Sequence, residues 1–568
     1  MPGPVTIVSQ EASKCFKKYH FQWLPCFQDR NIQMKYYYKP LYLLLLALTI
    51  TIGAFTLQML PTVQQPVARA AASTRLNAIQ QENLLPGTTS WQLTNPTPEN
   101  YTNPTYDKGV QGYSSVTSAQ AGNTVNFSVS TIASTFKADI YRLGWYQGKG
   151  ARLMRSIANI PGKAYPVPAP NTQTGLVEAG WPAAFSVTIP SNWITGMYIV
   201  KLTDANLQQS YIPFTVKTTS YTDFAFIHSV NTDEAYNIWG GASLYGDFTN
   251  TLPAGRAFKV SFDRPFFQSN GAGNLLKWEY PMIRWLEKYG YNVGYISDVD
   301  VDLSSTVLLG HRGVLIVGHG EYWSGQMRNH LQTAVNSGVN LGSFGGNDIF
   351  WQIRYEPSSN GVANRVVVCY KDASLDPLYN KDNKQVTVNF RSLPLNVPEQ
   401  TLLGSMYYSY FAESDGQGFP WVANNTSSWV FAGTGLQNGD SLPGLVGYEF
   451  DSFFPGYPSP ATITGADGVS GVEILAASPV TDIYNAMTTA NSTLYTAPGG
   501  ARVFNVGSIQ WSLGLDSYSP IPNSPNLVSS AARQITANIL HNFLTGLTTP
   551  ATLMVIRTSP GVLPHNIP

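Results

Sequence analysis

The stretch "VLIVGHGEYWSGQM" (Val314–Met327) decides how the second half of the chain is read. Its first four residues are β-branched or aliphatic and run into Gly318, the pattern of a strand covered on both faces. His319, Glu321, Tyr322 and Trp323 follow at once, and a core strand has no structural use for a histidine and a carboxylate at its end. From Ser324 the pattern turns helical, and "SGQMRNHLQTAVNSG" closes on Gly338 as a helix C-terminus does.

The same alternation surrounds it. "FAFIHS" (Phe224–Ser229), "YNVGYIS" (Tyr291–Ser297), "VNLGSFG" (Val339–Gly345), "VEILAAS" (Val472–Ser478) and "RVFNVGSIQW" (Arg502–Trp511) read as apolar strands, and "LLKWEYPMIRWLEKYG" (Leu275–Gly290) as another helix. Strand, helix, strand, helix predicts an α/β fold, a doubly wound parallel sheet over 222–548. In such sheets ligands bind beyond the carboxyl ends of the strands. Three polar clusters fall there: "NTDEAYNIWGGASLY" (Asn231–Tyr245), "GHGEYW" (Gly318–Trp323) and "GGND" (Gly345–Asp348).

Upstream the periodicity drops to two. "TVNFSVST", "KADIYRLG", "AAFSVTIP", "GMYIVKL" and "YIPFTVK", punctuated by Gly, Pro and Asn, predict an immunoglobulin-like antiparallel sandwich over 87–218, with Tyr198 as its corner tyrosine. Residues 61–86 read as a linker and 549–568 as a tail. "LYLLLLALTITIGAFTLQML" (Leu41–Leu60) has no charge and is long enough to cross a hydrocarbon core. Basic residues flank its N-terminal side, so 1–40 are expected in the cytoplasm and the large domains outside, on a single-pass signal anchor. "VARAAAS" (Val67–Ser73) is a possible cleavage site; an uncleaved anchor is favoured.

At 568 residues the chain suggests two or three domains, and with 12% charged residues and zero formal net charge it offers nothing to attract nucleic acid. Of the three cysteines only Cys369 lies in the long C-terminal portion, which therefore holds no internal disulfide; it reads as a small core residue. No G-x-S-x-G, H-E-x-x-H or paired C-x-x-C motif occurs, which removes the usual serine and zinc hydrolase readings.

"TDEAYNIWGGASLY", "SFDRP" (Ser261–Pro265), "WLEKYGYNVGYISDVDVD" (Trp285–Asp302), "GHGEYWS", "GGNDIFWQIR" (Gly345–Arg354), "GYEFD" (Gly447–Asp451) and "WSLGLD" (Trp511–Asp516), in this order, resemble the large (β) subunit of N,N-dimethylformamidase and its relatives over roughly 85–545. The resemblance implies an amidohydrolase with one iron held by two tyrosines and a glutamate, a fold similar to the class I glutamine amidotransferases, and a separate small subunit. Carried over by motif, Glu321 is the carboxylate ligand and Tyr236 a phenolate; Tyr245 is entered as the second, with Tyr198, Tyr280 and Tyr322 as alternatives. His319 becomes an acid/base or supporting partner and Asn347 a group facing the substrate.

The chemistry is coherent on its own terms. Amides need a polarised carbonyl and an activated water, which a Lewis acid on hard oxygen donors supplies, while histidine exchanges protons near neutrality. The bland readings stand beside these: Tyr236 and Tyr245 as packing aromatics, Asp298, Asp300 and Asp302 as solvated turn residues, and Glu449 and Asp451 as either pocket or exposed strand face. Arg264 and Arg354 are expected to pair with Asp263 and Glu356, or to close the rim of the site. The function expected is amide C–N hydrolysis on a small substrate. The alternative is a surface binding or structural protein that kept the fold, its Trp and Tyr residues stacking on a glycan. A small subunit or a second copy are the possible protein partners.

Overall fold

Residues Phe224–His228 form strand β1, a buried run one strand in from the edge of the largest sheet. The computed structural model describes residues 76–99, 109–412, 417–460, 471–519 and 525–556. By internal contacts the chain divides into the units Met1–Ala72 and Ser73–Pro568, and all that follows lies in the second. After β1 come helix α1 (Val230–Tyr236), α2 (Tyr280–Lys288), β2 (Val293–Ser297), α3 (Asp298–Leu303), β3 (Gly313–Gly318), α4 (Gly325–Asn336) and β4 (Asn340–Gly345). Then, far along the chain, come β5 (Glu473–Thr481), β6 (Met487–Thr496), β7 (Arg502–Asn505) and α5 (Ser530–Thr545).

The order across the sheet is β2-β1-β3-β4-β7-β6-β5. Neighbours from β2 to β7 pair parallel, with Val314 opposite Leu341 and Leu341 opposite Val503, but β7-β6 and β6-β5 pair antiparallel. The expected doubly wound α/β fold is therefore corrected. The chain is mostly β, 32% strand against 21% helix, and its strands are spread over six sheets among the described residues. Among the described residues no single crossover helix joins β4 to β7. Trp351–Glu356 and Val366–Val368 join Tyr322–Ser324 and Lys259–Ser261 in a small four-stranded sheet, and Met406–Tyr410 pairs with Glu449–Ser452 in another. The reason is physical: an apolar run specifies burial but not the direction of pairing, so "VEILAAS" was compatible with either.

The helices follow their local signals. In α4 the Ser324 hydroxyl accepts the Met327 N–H at 3.0 Å, and Met327, Leu331, Ala334 and Val335 turn inward at helical spacing. "DVDVD" is neither strand nor solvated turn. Asp300 accepts both the N–H and the hydroxyl of Ser297 at 2.9 Å and so starts α3.

The upstream strands form two sheets, Val110–Ser114, Thr124–Thr131 and Ala183–Thr188 against Thr135–Leu143, Ala151–Pro161, Gly196–Asp204, Gln209–Val216 and Ser118–Ala119. Phe127, Val187, Ile140, Val200 and Phe214 share one core between them. The Tyr198 hydroxyl donates to the Ile194 carbonyl at 2.8 Å, the corner contact expected of it. This sandwich is sealed to the large sheet by a fully buried ion pair. Arg142 Nη2 stands 2.7 Å from Glu287 Oε1 on α2, and Asn83 and Tyr295 donate to the same carboxylate at 2.8 and 3.0 Å.

The expected single-pass membrane localisation is also corrected. Among the described residues no helix is long and apolar enough to cross a membrane, which takes about 20 apolar residues. The longest among them, α5, has 16 residues. Leu41–Leu60, on which the anchor rested, and the basic segment 1–40 lie outside the described residues.

Candidate active site

Three strand ends deliver one polar cluster. β3 leaves through Gly318 at φ +75°, where a Cβ would stand 2.4 Å from that of Trp278, so only glycine fits the turn. The end of β4 crosses close beside it: a Cβ on Gly345 would come within 2.7 Å of the Gly318 carbonyl oxygen. The loop after β3 is then pinned. Gly320 N–H donates to Asp348 Oδ1 at 2.6 Å, and Glu321 N–H to the Thr232 hydroxyl of α1 at 3.0 Å.

Glu321 is the centre. Its carboxylate accepts the Tyr236 hydroxyl at 3.0 Å and the Tyr245 hydroxyl at 2.6 and 2.8 Å. Tyr236 closes α1, and Tyr245 follows after the turn at Trp239–Gly241, the two rings stacking with centroids 4.3 Å apart. Buried Arg264 holds that loop. It pairs with Glu234 at 2.6 Å, not with Asp263 as expected, and donates to the carbonyls of Asn237, Trp239 and Ala242. Arg354 likewise pairs with Asp376 rather than Glu356, at 2.7 Å, and Asp263 takes Arg365.

His319 Nε2 lies 2.8 Å from Glu449 Oε2 and 3.4 Å from Glu321 Oε2. Asn347 adopts φ +56° at the end of β4, which asparagine tolerates better than most residues, and its side-chain amide donates to Glu449 at 2.8 Å while its N–H donates to Asp451. All five residues singled out in the sequence thus meet. Glu449, left open between pocket and surface, is buried and belongs to the cluster; Asp451, also buried, supports it from behind. Two residues were missed. Asp348 adjoins Asn347 in the same "GGND" signal, whereas Lys371, whose ammonium sits 3.3 Å over the Tyr245 ring centroid and near Trp351 and Tyr322, has no sequence signal at all. Cys369 is buried in an apolar cluster, as expected.

Burial sets the electrostatics. It raises the Glu321 carboxyl, with His319 and Lys371 pulling the other way, and lifts Asp348 to about 7. Burial and the carboxylates of Glu321 and Glu449 push both phenols well above 10, so they stay neutral unless a cation draws off their protons. Burial opposes charge on His319, yet Glu449 and Glu321 hold it up to about 9; burial draws Lys371 down to about 8.

The donor set fits the iron that the resemblance implies. Two phenol oxygens lie within 3.0 Å of one carboxylate, a spacing suited to donors sharing one ion, and all three are hard oxygens of the kind a highly charged metal takes. Among the described residues no trio of His, Cys, Asp and Glu is placed to hold a metal ion. Asn347 Oδ1 and the Tyr322 hydroxyl are buried without partners among the described residues.

No curated protein matches the chain in sequence. Among solved structures, a Paenibacillus sp. cycloisomaltooligosaccharide glucanotransferase complexed with cycloisomaltoheptaose aligns at 12% identity over 23% of this chain and 18% of that one. Its TM-score of 0.14 carries no argument about fold or function. The model of the family described as N,N-dimethylformamidase beta subunit-like, C-terminal, matches residues 137–526, well over half of the chain, and the chain belongs to that family.

Proposed function

We propose that the Glu321 cluster hydrolyses the C–N bond of a small amide, with iron held by Tyr236, Tyr245 and Glu321. The observation that supports this reading is the convergence of two phenols on one buried carboxylate beside a histidine–carboxylate pair. Iron there supplies Lewis-acid chemistry that polarises a carbonyl and acidifies water. The protein does the rest. Glu449 keeps His319 oriented and charged, so its Nε2 is positioned to pass a proton to the leaving nitrogen while the pair recovers one from the attacking water. Asn347 uses its amide N–H on Glu449, which leaves its carbonyl oxygen to meet a donor on the substrate. Lys371 balances the charge of Glu321 and holds the Tyr245 ring.

The test is direct. Purified protein is expected to carry about one iron per chain, as follows from a single three-ligand site, to absorb visible light through iron–phenolate charge transfer, and to release amine from small formamides or acetamides. Glu321→Ala removes colour and activity together. A colourless, iron-free protein with no amidase activity overturns the reading. The small subunit that the resemblance implies is sought by co-purification.

A further inference from the structure

We propose a second binding site, for a small neutral molecule bearing a carbonyl or equivalent acceptor, in the cleft where the sandwich meets the loop of Trp239. The cavity is about 40 Å3 and is walled by Trp239, Phe266, Phe267 and Tyr211. A water needs about 10–15 Å3 by this measure, so the space takes a molecule of a few heavy atoms. Two polar groups in its lining are unspent. Ser210, 4% exposed, has a hydroxyl with no partner among the described residues, and the same holds for the Gln111 amide nitrogen.

Gln111 is fixed rather than free to swing. Its carbonyl oxygen accepts the Trp239 indole N–H at 2.7 Å, which orients the amide and leaves its donor uncommitted. A buried unmet donor destabilises the fold, and a ligand acceptor relieves it. The chemistry therefore selects an acceptor flanked by apolar groups that lie against aromatic rings. An alkylammonium has no acceptor to offer the Gln111 donor, and an anion is disfavoured by the Glu99 carboxylate in the lining, which accepts the Asn270 N–H at 2.6 Å. The site is separate from the Glu321 cluster and does not depend on the function proposed for it. Trp239 lies three residues after Tyr236 and reports on occupancy.

The experiment uses full-length protein labelled with 5-fluorotryptophan, its Trp239 19F resonance assigned by Trp239→Phe, and N,N-dimethylacetamide as the probe. Saturable movement of that resonance is expected in wild type and equally in Glu321→Ala, where turnover is removed. Ser210→Val, which fills the cavity and deletes the hydroxyl, is expected to weaken binding at least tenfold, and Gln111→Met similarly, with methylammonium producing no shift. Loss of the response in Glu321→Ala, an unchanged affinity in Ser210→Val and Gln111→Met, or a resonance that never moves overturns the site. If Ser210→Val fails to fold, Gln111→Met alone decides.

Discussion

Glu287 and Glu321 are both buried carboxylates, and they are partnered in opposite ways. Glu287 faces a guanidinium of fixed charge in a two-pronged contact, at 2.7 and 3.0 Å, and its remaining lone pairs are met by Asn83 and Tyr295. Glu321 has no arginine. Its partners are two phenols and, farther off, a histidine that it shares with Glu449. A carboxylate held by a guanidinium of fixed charge holds structure together; one whose nearest partners can each give up or share a proton is equipped for chemistry.

The largest effect expected on this contrast is functional. Glu321→Ala should lower amide hydrolysis by about a thousandfold or more, the scale of losing a transition-state stabiliser, while the thermal midpoint moves by only a few degrees. A variant that folds with a much lower thermal midpoint but keeps its specific activity would place Glu321 with Glu287. Next in size, Arg142→Met leaves Glu287 buried and unpaired and should cost about 3–5 kcal/mol in urea unfolding. Arg142→Met with Glu287→Leu should regain most of that, because an apolar pair needs no counter-charge.

A third test concerns a buried pair of intermediate kind. Burial opposes charge on His228, but Glu279 at 2.9 Å raises it to about 9. Its folded value exceeds the unfolded one near 6.5, so the pair's stabilisation is complete below pH 6.5 and is lost as pH rises through 9. The loss should be on the order of 3 kcal/mol at most, seen as a fall in the denaturation midpoint between pH 6 and 9.5 that His228→Gln flattens. Smallest of all, Tyr236→Phe should leave stability within about 1 kcal/mol, yet shift the visible band of the iron-loaded protein; an unmoved band would remove Tyr236 from the site.

The sequence made the strand ends legible and their surroundings much less so. His319, Glu321 and Asn347 stand directly after apolar runs, so their place at a sheet edge followed from local pattern. Tyr236 and Tyr245 came from the family resemblance, and they reach Glu321 across 85 and 76 residues. Lys371 arrives from a bend three residues beyond the strand Val366–Val368, with no local mark, and its φ of +58° is not written in "CYKD". The α/β assignment failed at β5 and β6 because pairing direction is fixed by which strand lies alongside, not by which residues are apolar. Arg264 was matched to the adjacent Asp263, but backbone carbonyls and Glu234 met its fork better than a neighbour on the same strand end.

The Arg142–Glu287 seam also bears on how the molecule is inherited. Any recombination that trades the sandwich for another must bring an arginine to the same place, or strand a charge under α2. A sandwich without that cation would dock on α2 only at the expense of a buried, unpaired carboxylate, unless position 287 turned apolar with it.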